Sequence, residues 1–380
     1  MKEIADIVQA YQIARKAGIK TALATVVQVD GSSYRRPGAR MLITATGELT
    51  GAISGGCLEG DALRKALLAI NENRNKIVTY DTTDEDDAKF GIQLGCNGIV
   101  HILFEPIIDD HINHPIQLLQ QSFSERRHAV LVTIFSLTDP KASQPGTCLL
   151  NRAGDKSAND NLLPGLRQPV EQESGNVLCY KQSSIKKYLL NQREFTVFFS
   201  FIKPVIQLIV AGAGNDVIPL AEIAETMGWN TVIADGRSDR ATLQRFPRAQ
   251  KILVTKPKQL LDQIPVDEQT VFVLMTHNYN YDLELLKLLI GVDTDYIGLL
   301  GPKKKMQRML DELREQGIEI NSEQQEKIHG PVGLDIGAET AEEIALSIAA
   351  EIKAVLSARN GQSLKIENGP IHERMTRLVS

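Results

Sequence analysis

Ile209-Val210-Ala211-Gly212-Ala213-Gly214-Asn215-Asp216-Val217 carries an apolar strand pattern through a GxG turn and into a helical pattern. In dinucleotide-binding folds the glycines of such a turn let the backbone approach a pyrophosphate at the helix N-terminus, and an acid at the end of the second strand holds a ribose hydroxyl. Asp235 stands in that second position. Working outward, strand patterns at 206–211, 230–234, 251–254, 270–275 and 295–299 alternate with helix patterns. Strict alternation predicts a parallel, doubly wound, Rossmann-like sheet. Two departures qualify the turn: Val217 stands where a third glycine is usual, and Asp216 puts a negative charge beside the phosphate position. Gly212, Gly214 and Asp235 therefore read either as binders of an NAD-type nucleotide or as fold glycines and a structural acid. His277, just after the fourth strand, reads equally as a ligand contact at the carboxyl edge or as a turn histidine bonded to backbone. The final helix is predicted to begin near Thr340, which forms a capping box with Glu343, and to present Ile344, Ile348, Ile352 and Leu356 on one face.

Upstream of Val205 the texture differs. A helix is predicted over 3–17, closed by Gly18, followed by strands at 21–29, 40–44 and 48–53 with a hairpin turn at Thr46-Gly47. A helix over 58–71 and strands at 76–80, 98–104, 129–135 and 195–201 complete the pattern, while the Gly/Ser/Asn/Gln-rich stretch from 138 to 176 reads as an inserted loop. The fold class is α/β: an N-terminal α/β domain over 1–203 and a Rossmann-like domain over 204–380.

Charge and cysteine usage narrow the function classes. A formal net charge of -5 with a pI near 5.9 and no long basic run leaves no electrostatic footprint for nucleic acid. The most apolar stretch, 195–210, is interrupted by Lys203, Pro204 and Gln207, so neither a membrane span nor a signal peptide is expected. The four cysteines, at 57, 96, 148 and 179, form no CxxC pair. That usage fits a reducing cytoplasm without disulfides or structural zinc.

Two of those cysteines lie in short chemical motifs. Gly51-Ala52-Ile53-Ser54-Gly55-Gly56-Cys57-Leu58-Glu59-Gly60-Asp61 hands Cys57 from a Gly-rich turn to the start of a helix. A thiol there feels backbone N–H groups and the positive end of the helix dipole, and can ligate a soft metal or attack sulfur. The amides around Gly55 and Gly56 can also cradle a phosphate. The alternative reading is a buried cysteine in an ordinary turn.

Around this turn lie Gly31-Ser32-Ser33-Tyr34-Arg35-Arg36-Pro37-Gly38-Ala39-Arg40 and Gln93-Leu94-Gly95-Cys96-Asn97-Gly98. The second half adds Thr276-His277-Asn278-Tyr279, Gly298-Leu299-Leu300-Gly301-Pro302-Lys303-Lys304-Lys305 and His329-Gly330-Pro331-Val332-Gly333-Leu334-Asp335-Ile336-Gly337. Together and in this order these motifs resemble the xanthine dehydrogenase accessory (XdhC/CoxI-type) family. The resemblance covers residues 20–105 and 205–357, and implies a chaperone that binds the molybdenum cofactor, as molybdopterin or its dinucleotide form, and delivers it to a molybdenum hydroxylase such as xanthine dehydrogenase. It further implies Cys57 and Cys96 as thiolates near molybdenum or its terminal sulfur, Arg36 and Arg40 against a phosphate beside Gly55 and Gly56, a cysteine desulfurase as second partner, and a homodimer. Many relatives carry histidine after GAG where this chain has Asn215-Asp216, so no role of that histidine carries over.

Lys303, Lys304 and Lys305 at a helix start oppose the helix dipole, which suggests a compensating anion, either a ligand phosphate or an acidic partner; the alternative reading is a solvated charge run. Rival readings are a nicotinamide-dependent oxidoreductase with His277 as acid/base, and a scaffold for other maturation proteins that holds no cofactor.

Overall fold

A five-stranded antiparallel sheet organises the first unit, whose described residues run to Pro204. Its strands β1 (Thr21–Gly31), β2 (Arg40–Thr44), β3 (Leu49–Gly51), β4 (Lys76–Asp81) and β5 (Gly98–Pro106) run in the order β3-β2-β1-β5-β4. The computed structural model describes residues 2–81, 98–109, 111, 113–154 and 162–366. Helix α1 (Lys2–Lys16) precedes the sheet, and α2 (Glu59–Glu72) covers one face of it. Ala62, Ala66 and Ala69 recur at helical spacing on the buried side of α2, and their small side chains let the helix close on Ala22, Ala24 and Ile102.

The other face packs on a second antiparallel sheet, made of β6 (Ala129–Phe135), β7 (Gly146–Arg152), β8 (Ser184–Leu190) and β9 (Arg193–Ile202) in the order β7-β6-β9-β8. Between them α3 (Pro115–Ser124) joins α1 in packing on Leu23 and Leu42, and α4 (Arg167–Tyr180) covers the far face of the second sheet. Where β1 pairs with β5 the register slips at Val27. Val26 faces Ile102 and Gln28 faces His101, which leaves one residue of β1 unpaired. Val26 joins the α2 core and Val27 the core between the sheets by ordinary alternation; the slip shows beyond them, where Val29 returns to the α2 core.

The stretch expected as an inserted loop contains β7 and much of α4. Its polar composition hides them because α4 buries polar side chains as well as apolar ones. Glu173, 4% exposed, accepts from Ser184 Oγ and Lys186 Nζ at 2.7 Å each, so the apolar period is reduced to Val170 and Val177. Strand β8 is a further element that the sequence pattern does not show.

The second unit begins at Val205. Strands β10 (Gln207–Ala211), β11 (Asn230–Asp235), β12 (Lys251–Val254), β13 (Thr270–Leu274), β14 (Ile297–Leu299) and β15 (Ile328–His329) are all parallel, in the order β12-β11-β10-β13-β14-β15. Chain order therefore reverses between β10 and β13, the switch point of a Rossmann sheet. Helices α5 (Val217–Thr226) and α10 (Ala341–Val355) cover one face; α6 (Pro257–Leu260), α7 (Tyr279–Leu289) and α8 (Lys303–Glu315) cover the other, with α9 (Ser322–Glu326) leading into β15. The two-residue β15 is too short to leave a period in the sequence. Among the described residues no helix is long and apolar enough to cross a membrane.

Helix α10 shows the expected capping box: Thr340 Oγ1 accepts from the Glu343 amide, and the Glu343 carboxylate accepts from the Thr340 amide. Thr340→Ala should cost about 1 kcal/mol, read as a shift in the urea midpoint of Trp229 fluorescence, since the chain's one tryptophan lies in the core that this helix helps to form. An unchanged midpoint would mean that the cap is redundant.

Candidate functional site

Two loops and the start of β5 meet at one end of the first sheet. The loop leaving β1 returns to β2 through residues 32–39, and within it Tyr34 lays its ring over the turn between β3 and α2: a Cβ built on Gly55 would touch that ring at 3.4 Å. Gly98, the first residue of β5, packs so closely beneath the Ser32 and Asp30 carbonyls that a Cβ there would overlap both. The motifs carrying Arg36, Cys57 and Gly98 are thus brought together. Cys96 lies outside the described residues.

The Cys57 turn is held by a serine and a glutamate that the sequence motifs do not single out. Ser54 Oγ donates to Glu59 Oε2 and accepts from the amides of Gly56 and Leu58 at 3.2 and 3.1 Å. Glu59 also accepts from the amides of Ser54 and Leu58 at 2.9 and 3.1 Å. Burial alone would raise the Glu59 carboxyl, but these bonds hold it below the usual carboxylate range. The expectation of a turn with open amides needs correction, because Ser54, Gly56 and Leu58 are already satisfied within the turn. Among the described residues the amides of Gly55 and Cys57 make no hydrogen bond, and these two remain available. Gly56 sits at φ 109°, a region that favours glycine. Cys57 is half-buried, with Sγ 3.8 Å from Ser54 Oγ. The signal that could have found this bracing is an acid two residues after the cysteine, at the first position of the helix.

The arginines divide. Arg36 is exposed, Arg35 binds Glu3 at 2.6 Å, and Arg40 is only 3% exposed. Arg40 does not face solvent beside Gly55, as the phosphate assignment required. Its partners on the strand alternation, Thr25 and Leu42, point between the two sheets, and its Nη1 donates to the Gly38 carbonyl at 2.9 Å. Opposite lies Glu105, 2% exposed, which accepts from the Thr147 amide at 2.6 Å and from Thr147 Oγ1 at 2.9 Å. Burial pushes the Glu105 carboxyl up to about 7, against the bonds from Thr147 and the charge of Arg40.

In the second unit the GxG turn lies at the switch point, with Gly212 at φ 125° against the Met275 carbonyl. Asp235, 3% exposed, reaches back to it: Oδ2 accepts from the Ala213 amide at 2.8 Å and from Arg237 Nη2 at 2.7 Å, while Oδ1 accepts from the Arg237 amide and Nε at 2.9 Å each. Four bonds fill a carboxylate. A ribose hydroxyl would have to displace one of them. His277 Nε2 meets Asp216 Oδ2 at 2.8 Å, a side-chain partner in place of the backbone bond or ligand that its position suggested. Lys305 finds its anion inside the chain, donating to Asp282 Oδ2 at 2.7 Å and the Leu300 carbonyl at 3.0 Å. The expected external anion is not needed there. Lys303 and Lys304 are exposed and make no ion pair among the described residues. His329 stacks on Tyr296 at 4.4 Å between ring centroids and lies 3.6 Å from Glu351, bracing the turn that follows β15.

Known proteins resemble this chain in both of its units. The family model described as the XdhC and CoxI family matches residues 14–81, and that described as the XdhC Rossmann domain matches residues 208–352. A relative from Bacillus subtilis (strain 168), named as a probable xanthine dehydrogenase subunit, is 30% identical over 333 residues, which is 88% of this chain and 92% of its own length. The chain belongs to the XdhC and CoxI family. A more distant relative, the molybdenum cofactor insertion chaperone PaoD of Escherichia coli (strain K12), is 24% identical over 89% of this chain and 84% of its own. A crystal structure described as a xanthine dehydrogenase from Bacillus halodurans aligns with a TM-score of 0.73 at 29% identity, covering 94% of this chain and 98% of that one. The XdhC and CoxI match contains Arg36, Arg40, Gly55, Gly56 and Cys57 and stops short of Cys96, whereas the XdhC Rossmann match contains Gly212, Gly214, Asp235, His277 and Lys303.

Proposed function

We propose that this chain binds the molybdenum cofactor in its first unit and delivers it to a molybdenum hydroxylase of the xanthine dehydrogenase type. The observation that carries the reading is the meeting of the Tyr34, Cys57 and Gly98 segments at one sheet end, in a chain related to a molybdenum cofactor insertion chaperone. In this reading Cys57, with Cys96, supplies the soft sulfur contact to molybdenum or its terminal sulfur. The free amides of Gly55 and Cys57 and the exposed Arg36 take the pterin phosphate. Arg40 acts from behind, by fixing the Gly38 carbonyl and so the end of the loop that bears Arg36. A thiol placed at the terminal sulfur also gives a cysteine desulfurase a place to deliver sulfur before transfer. Cofactor with or without a nucleotide suits the same contacts, since both forms carry the pterin phosphate.

Cys57→Ala should lower the molybdenum retained after anaerobic co-purification and desalting by at least about tenfold. Cys148→Ala should retain it. Cys148 is the fitting control because burial, helped by Glu105, pushes its thiol up to about 12 and keeps it inert beneath α4. Equal molybdenum in the two variants would remove Cys57 from the site.

A further inference from the structure

A Rossmann domain implies a dinucleotide, and the residues at this switch point do not fit one. In the binding form of the fold, the second glycine of the turn keeps its space clear so that a pyrophosphate can lie on the helix N-terminus. Here that space is filled. A Cβ built on Gly214 would overlap Asp216 Oδ1, so the glycine accommodates a carboxylate of its own chain. Asp216 is the N-cap residue of α5 but its side chain accepts no capping bond from the helix; its other oxygen is held by His277 Nε2 at 2.8 Å across the switch point. His277 adopts φ 57°, the left-handed region that histidine visits more readily than most non-glycine residues, and this turns its ring toward Asp216. The turn is braced from both sides. Asp235 accepts from the Ala213 amide, and Arg245 donates to the Ala213 carbonyl at 2.5 Å and to Asn215 Oδ1 at 2.7 Å.

We infer that Asp216, clamped by His277, is an internal anion occupying the phosphate position of the second unit, and that it excludes nucleoside diphosphates from the switch point. The negative charge takes the favourable end of the α5 dipole that a phosphate would otherwise use, and a second anion beside it is repelled. Asp235, with all four acceptor positions filled, offers nothing to a ribose. The inference concerns the second unit alone and does not depend on cofactor binding in the first.

The test is calorimetric titration of the full chain with ADP. Wild type should show no saturable heat up to about 1 mM, whereas Asp216→Ser, which keeps a good N-cap residue but removes the charge and two heavy atoms' reach, should bind at least about tenfold more tightly than that limit. Trp229 fluorescence and urea titration establish that the variant is folded. If the serine variant proves unstable, Asp216→Gly is titrated in its place, with the same gain expected because it too clears the space beside Gly214 and removes the charge while remaining tolerated at an N-cap. Saturable ADP binding by wild type at the variant's affinity would overturn the inference, and so would a folded variant that stays silent, because the switch point would then hold no latent phosphate site.

Discussion

Lys305→Met is expected to lower the stability of the second unit by about 3 kcal/mol, whereas Lys303→Met and Lys304→Met should each stay within about 0.5 kcal/mol of wild type. The difference follows from one buried carboxylate. Asp282 is fully buried on α7 and shares its charge between Thr276 Oγ1 at 2.5 Å and Lys305 Nζ at 2.7 Å. Removing the lysine leaves that charge in an apolar surround with a single hydroxyl. The lower end of the range for broken buried pairs applies, since the Lys305 side chain keeps 21% of its exposure and water can partly replace it. Urea titration followed by Trp229 fluorescence reports this unit, and equal midpoints for the three variants would show Asp282 to be solvated or neutral.

The second large effect is a pH dependence between the two sheets of the first unit. Glu105 has its folded pKa raised to about 7, chiefly by burial, from an ordinary value near 4.5. A raised carboxyl pKa means that the folded state holds the proton more tightly than the unfolded chain does. Its contribution is therefore fully present below about 4.5 and is lost as the pH rises through about 7; it amounts to of order 3 kcal/mol. Glu105→Gln keeps the size and an acceptor for the Thr147 amide but cannot titrate. The stability difference between wild type and Glu105→Gln should therefore move by of order 3 kcal/mol in the variant's favour from pH 4.5 to pH 8, measured by circular dichroism at fixed ionic strength. Besides Arg40 and Thr147, the groups coupled to this carboxyl are Cys148 on β7, itself protonated throughout, and Glu3 on α1, which acts through Arg40. A difference that does not change with pH would place Glu105 in contact with water.

How much of this was legible varied with the physics of each element. The second unit could be read almost strand by strand, because a sheet buried on both faces writes continuous apolar runs between helical periods, as in Leu208 to Ala211 and Val271 to Leu274. The cap of α10 was also legible, since Thr340 and Glu343 act over four residues. In the first unit α4 was not, because Glu173 occupies a position where a period search wants leucine. Arg40 misled for a related reason: strand alternation decides which face a residue takes, and the motif looked exposed while the alternation placed the guanidinium between two sheets. Partners distant in sequence were beyond reach. Nothing local to Asp216 announces His277, and nothing local to Lys305 announces Asp282.

The unpaired residue at Val27 reaches further than its own side chain. Downstream of it Gln28 and Asp30 lie on the same side as His101, the cross-strand partner of Gln28, with Gln28 Nε2 donating to the Asp30 carboxylate at 3.1 Å, while Val29 turns to the α2 core. Had the same residues paired regularly, with Val27 opposite His101, those faces would be exchanged: Gln28 and Asp30 would turn toward Ala62 and Ala66, and the loop that bears Tyr34 and Arg36 would leave the sheet one residue out of step. The slip is thus a specification in its own right, since it, and not the residue types alone, decides which face of the strand Gln28 and Asp30 take.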